Sequence, residues 1–280
     1  MRKILPEDLK RHMARHRLDQ YTLLDVRQEW EYGEFHIPGA VLLPLPELAD
    51  RTGELDPSRP VYTYCRSGGR SKAAAMLLDG LGFEASSLDG GVDAWEGEAA
   101  VGPQGAGMFL FDEVRDMEGL LLLAWGLEDR LERFYQSLAN LARDEASRDL
   151  FRKLAGFELR HKDAAYALYV KGTAEPLDRP TFERKANEAA VSGGREEHLG
   201  ERIEGGISPE ELLAGSPEDL SNLREIVEFA MAVEAQALDF YMRCRDKARD
   251  ADLRAALMVL ASEEKAHLRV LGKYYDERPE

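Results

Sequence analysis

The sequence predicts two domains of different class: an α/β domain built on a parallel sheet flanked by helices, then an all-α four-helix bundle. Three observations carry this expectation. Over the first hundred residues, short β-branched and aromatic runs alternate with helical patterns, which implies parallel strands joined by crossover helices. From about 116 onward, apolar residues recur at spacings of three and four, the period of amphipathic helices. Within that second region one pattern occurs twice, the copies displaced by 106 residues (Glu128 to Glu234).

In the first region a helix is expected near Pro6–Arg15, with strands at Thr22–Val26 and Val41–Leu43. The apolar run Val61–Tyr64 reads as a central strand, feeding the loop Cys65-Arg66-Ser67-Gly68-Gly69-Arg70-Ser71 and a helix through Leu81. A strand near Ala85–Leu88 and a turn at Val92–Trp95 follow. Ligands of parallel sheets bind beyond the carboxyl ends of the strands, where Cys65 falls. Two glycines let the loop amides turn inward as an anion-binding nest, and the following helix points its positive end at the same place. With Arg66 and Arg70 alongside, Cys65 is expected to be a nucleophilic thiolate of lowered pKa, and the same donors suit a persulfide on it.

The second region is expected to contain four helices. Their stripes read Leu120, Ala124, Glu128, Leu131, Tyr135, Leu138; Phe151, Leu154, Glu158, His161, Ala165, Leu168; Val227, Ala230, Glu234, Ala237, Tyr241; and Leu253, Leu257, Leu260, Glu264, His267, Leu271. Glu128, Tyr135, Glu158 and His161 thus repeat as Glu234, Tyr241, Glu264 and His267, and Ala142-Arg143-Asp144 repeats as Ala248-Arg249-Asp250. The match reads as a duplicated helical hairpin. Unpartnered buried carboxylates cost several kcal/mol each, so the four glutamates call for neutralisation, which two divalent cations supply. Glu-x-x-His places both side chains on one helical face, within reach of one metal. Carboxylate-rich sites suit Fe or Mn. Tyr135 and Tyr241 are candidates either for hydrogen-bonding or redox-active groups behind the ligands or for ordinary core packing.

Between the hairpins, 172–221 is rich in Gly, Pro and charge and is expected to cross the length of the bundle, with short helices at Arg179–Val191 and Ser208–Ala214 and a solvated His198. The domains are placed at 1–103 and 116–280 with 104–115 as linker, the Gly- and Ala-rich Glu96–Gly107 segment being the natural joint. The net charge of −16 argues against nucleic acid and anionic membranes as partners. No apolar run approaches a membrane span, and the first residues lack a signal-peptide core. The two cysteines, Cys65 and Cys244, fit a reducing cytoplasm.

Two resemblances extend this reading. Leu24-Asp25-Val26-Arg27, Glu31-Tyr32, His36-Ile37-Pro38-Gly39-Ala40 and the Cys65–Ser71 loop resemble the single-domain rhodanese family across nearly the whole first region. That resemblance implies that Cys65 accepts a sulfane sulfur from thiosulfate, polysulfide or a small persulfide and passes it to a thiol acceptor. Asp25 and Arg27 would organise the site, and Arg70 would close the loop on an anionic substrate; Asp25 reads equally well as a purely structural acceptor. The four residues between Cys65 and Arg70 match sulfurtransferases, whereas related phosphatases have five.

Residues 116–280 resemble the rubrerythrin branch of the ferritin-like superfamily, which implies a diiron site on Glu128, Glu158, His161, Glu234, Glu264 and His267 that reduces peroxide or O2. Two features depart from that pattern. Ala237 stands where a further Glu is usual, and there is no four-cysteine iron centre, so the electron donor is unidentified. The expectation is a cytoplasmic, homodimeric protein combining persulfide-forming sulfur transfer with diiron oxidoreduction. Alternatives are an iron buffer, a persulfide carrier or sensor without turnover, and oxidation of the delivered sulfur at the metals.

Overall fold

The computed structural model describes residues 2–192, 203 and 222–276, the side chains of 191 and 192 excepted; His198 and the helix expected at 208–214 lie outside them. The chain divides into two compact units, Met1–Gly105 and Ala106–Glu280.

The first unit is a five-stranded, all-parallel sheet in the order β1-β5-β4-β2-β3. The strands are β1 (Arg2–Ile4), β2 (Thr22–Asp25), β3 (Val41–Leu42), β4 (Val61–Tyr64) and β5 (Ala85–Leu88), with helices α1 (Pro6–Arg15), α2 (Glu29–Glu34), α3 (Leu45–Arg51) and α4 (Gly69–Gly80) between them. The short edge strand β1 and helices α2 and α3 lack a sequence signature: three to seven residues are too few to display a period. α2 is held by its own start, where the Glu31 carboxylate accepts from the Gln28 amide at 3.1 Å. Leu24, Val26, Val61, Ala74, Leu78 and Ala85 form the core beneath β4. Central strands β2 and β4 run in register, Asp25 opposite Tyr64, so Asp25 and Cys65 emerge at the same edge.

The second unit is helical. The segment expected as linker includes α5 (Met108–Asp112), which buries Leu110 and Phe111 and belongs with this unit. Arg243 donates to the Ala106 carbonyl at 2.5 Å and Lys247 pairs with Asp112. Four long helices follow, α6 (Met117–Leu141), α7 (Glu145–Gly172), α9 (Leu223–Lys247) and α10 (Ala251–Asp276), with α8 (Arg179–Ser192) between the hairpins.

The repeated Ala-Arg-Asp word has a structural cause. Ala142 donates to the Leu138 carbonyl and Ala248 to that of Cys244, both at 2.9 Å, closing α6 and α9. Asp144 then accepts from the Ser147 amide at 2.8 Å and Asp250 from that of Leu253 at 2.9 Å, opening α7 and α10. Each copy ends one helix and starts the next.

The expected core stripes of α6, α9 and α10 are buried, His267 being half-buried. In α7, Leu168 is 46% exposed and Tyr169 is buried instead, because the 3.6-residue period advances the stripe by four at that turn. α8 lies on α6 through Trp125, Phe182 and Ala186, with Tyr169 of α7 in the same cluster. Gly126 permits the approach: a Cβ there would stand 2.3 Å from the Ala186 carbonyl oxygen. Among the described residues no helix is long and apolar enough to cross a membrane.

Candidate functional sites

Cys65 leaves the end of β4 and its Sγ lies buried at the base of the loop. The Gly68 and Ser71 amides point at it from 3.2 and 3.4 Å, and Ser71 Oγ lies 3.6 Å away. This nest requires Gly68 at φ 98°, a left-handed conformation that glycine adopts without a Cβ penalty. Behind it, Ser87 Oγ on β5 shares a 2.8 Å hydrogen bond with Ser71 Oγ, and Thr63 Oγ1 donates to the Ser71 carbonyl at 2.9 Å. A second loop clamps the first. The Val92 and Asp93 amides donate to the carbonyls of Cys65 and Arg66, and Gly91, at φ 64°, passes so close that a Cβ would stand 2.3 Å from both oxygens.

The arginines around this loop are committed to carboxylates. Arg27, fully buried, takes three side-chain hydrogen bonds to Asp25 and one to the Phe35 carbonyl. Burial works against its charge, but Asp25 outweighs this and raises its pKa. Arg70 meets Glu31 in a two-pronged ion pair, both contacts 2.6 Å. That pairing is the largest influence holding the Glu31 carboxyl down at about 2, and it raises Arg70 in turn. Arg66 lies 3.7 Å from Asp93, both exposed.

In the helical unit, all six expected ligands converge in two like groups. His161 Nδ1 lies 3.3 Å from Glu128 and 3.4 Å from Glu158; His267 Nδ1 lies 3.3 Å from Glu234 and 3.7 Å from Glu264. The imidazoles stack at 4.3 Å with their Nε2 atoms 2.9 Å apart, tying the groups together. All four glutamates are buried, and Glu158 Oε1 and Glu234 Oε1 meet no hydrogen-bond donor among the described residues. Burial raises the Glu158 pKa from its ordinary value. Burial also opposes charge on His161, but Glu128 and Glu158 prevail and raise it to about 12; His267 is raised in the same way by Glu234. Buried oxygens without donors, each group completed by a ring nitrogen, fit a pair of divalent cations.

The model described as Rhodanese-like domain matches residues 5–98. The putative sulfurtransferase YtwF of Bacillus subtilis is 36% identical over 80 residues, which is 29% of this chain and 78% of that protein. The chain belongs to the rhodanese-like family. The thiosulfate sulfurtransferase GlpE of Pseudomonas syringae is 38% identical over 75 residues, 26% of this chain and 71% of that one. The HTH-type transcriptional regulator Rv0324 of Mycobacterium tuberculosis is 39% identical over 85 residues, 30% of this chain. The chain spans only 38% of that regulator's length.

In the rhodanese-like unit, the structure brings Asp25, Arg27, Cys65, Gly68, Gly69, Arg70 and Ser71 to one sheet edge. Arg66 and Ser67 are exposed on the loop. Arg70, expected to engage an anion, is held by Glu31, whose word in the sequence suggested no role. Ser87 was equally illegible, since a serine on a strand has no motif. In the helical unit Tyr135 sits in an apolar cluster with Phe151, Leu154 and Ala230, and Tyr241 is likewise buried. Lys162, beside His161, bonds Asp129 at 2.7 Å and Glu132 at 2.5 Å and lies over the Trp125 ring. It is a buried cation on the side of α7 facing α6.

Proposed function

We propose that the chain joins sulfur transfer through a Cys65 persulfide to a dimetal carboxylate oxidoreductase, in sulfur metabolism or oxidative defence. The observation that carries the first activity is Cys65 Sγ at the focus of the Gly68 and Ser71 amides. Its thiolate attacks the outer sulfur of a donor such as thiosulfate. The donor S–S bond breaks, its electron pair leaves with sulfite, and Cys65–S–S⁻ remains. The same amides and the start of α4 stabilise the anion before and after transfer. A thiolate acceptor then attacks the terminal sulfur and releases Cys65. Asp25 keeps Arg27 buried beneath the loop and so fixes the β2 end against it.

The second activity is supported by the buried Glu-Glu-His pairs, which would hold two iron or manganese ions. Metals bound there would supply electrons to peroxide or O2, the donor being external. Glu128, Glu158, Glu234 and Glu264 would compensate the cationic charge, and His161 and His267 would give up protons on binding the ions. The surrounding core, including Tyr135 and Tyr241, limits access of water.

The test uses the full chain. With thiosulfate and cyanide it should form thiocyanate, and Cys65→Ser should form none; equal turnover by the variant refutes the first activity. Anaerobically purified protein should carry two metal ions per chain that peroxide oxidises. Fully folded protein that takes up neither iron nor manganese refutes the second.

A further inference from the structure

Three arginines border the sulfur site, and each has a carboxylate of its own: Arg27 with Asp25, Arg70 with Glu31, Arg66 with Asp93. The attraction left for a ligand comes mainly from the amides and helix start around Cys65, which suit one localised negative charge. Two reactions differ in how much charge they gather there. With thiosulfate, a thiolate and a dianion combine, and a persulfide anion and sulfite dianion result. With a hydropersulfide R–S–SH, the thiolate takes the outer sulfur and a single thiolate R–S⁻ leaves, Cys65–S–SH remaining.

Glu31 is positioned to weigh on that difference. Its carboxylate is only 7% exposed, is fixed by the Gln28 amide at the start of α2, and grips both ends of the Arg70 guanidinium at 2.6 Å. Glu31 therefore offsets the Arg70 charge beside the loop, although Cys65 also faces the guanidinium and helps to hold it charged.

We propose that Glu31 is a specificity-determining residue that biases the site towards low-charge small-molecule persulfides and against the thiosulfate dianion. This rests on sulfur transfer at Cys65 as proposed above. A carboxylate that offsets the arginine beside the sulfur loop acts on each additional substrate charge at the level of about tenfold in KM.

The experiment compares wild type, Glu31→Gln and Glu31→Asp in the full chain, with thiosulfate and the near-neutral cysteamine persulfide as separate donors and cyanide as acceptor. Glu31→Gln keeps the shape and one acceptor oxygen but removes the charge. It should lower KM for thiosulfate about tenfold while leaving KM for the persulfide within about twofold, and Glu31→Asp should restore the wild-type ratio. A merely structural role would impair both donors together, chiefly in kcat. An unchanged ratio of the two KM values, or equal loss with both donors, overturns the proposal. Wild type inactive with both donors overturns sulfur transfer itself, and this inference with it.

Discussion

Metal-free protein should have a helical unit that weakens as pH rises, and the structure fixes the sign. In the metal-free fold His161 is raised from an ordinary 6.5 to about 12, because Glu128 and Glu158 outweigh the burial that opposes its charge. A group whose folded pKa exceeds its unfolded value contributes all its stability below the unfolded pKa and loses it as pH climbs towards the folded one. Between those values the folded state holds one extra proton, and each pH unit costs about 1.4 kcal/mol. From pH 6.5 to 8.5 that amounts to roughly 2.5 kcal/mol. Glu158 and His267, both raised, add in the same direction. For a unit of this size, 1 kcal/mol moves Tm by about 2–4 °C, so a fall of roughly 5–10 °C is expected. Calorimetry of chelator-treated protein at pH 6.5, 7.5 and 8.5 measures it, with His161→Gln as control for every other titration. Metal displaces these protons, so the loaded protein should show the opposite trend in affinity, and the gap between the two Tm values should widen. A stripped protein whose Tm is flat or rises with pH, or whose slope is undiminished in His161→Gln, would refute the reasoning.

Two further substitutions probe the rhodanese-like unit. Asp25→Asn leaves the Arg27 charge buried without its carboxylate, which costs about 3–5 kcal/mol; denaturant unfolding should show the double variant Asp25→Leu/Arg27→Met losing less than the single one, and the reverse order would rule the pair out as the source. Gly91→Ala forces a side chain into a left-handed conformation and against the carbonyls of Cys65 and Arg66. It should displace the sulfur loop and cut thiocyanate formation by about tenfold or more, the strain being of the order of 1–3 kcal/mol; wild-type turnover would show that the clamp is dispensable.

The duplicated Ala-Arg-Asp words mark a boundary visible in both scales. As text they are part of a 106-residue repeat, and in space they are the stop of one helix and the cap of the next. Long periodic helices announce themselves in this way because each face recurs many times. Short pieces do not: α2 has six residues, and its identity rests on one carboxylate and one amide. The same holds for α5, whose place in the linker segment depends on Arg243 and Lys247, far along the chain.

Chain chemistry alone determined the two-unit architecture, the cysteine at a strand end with glycines behind it, and the pairing of glutamates with histidines, since all of these are written as local order and spacing. Which charges face which others was decided by tertiary structure. Arg70 carries the same positive charge whether it greets a substrate or is tied to Glu31, and only the packing of α2 beside the loop distinguishes the two. Likewise the convergence of the His161 and His267 rings depends on how the two hairpins dock, a contact made across 106 residues that no local spacing encodes.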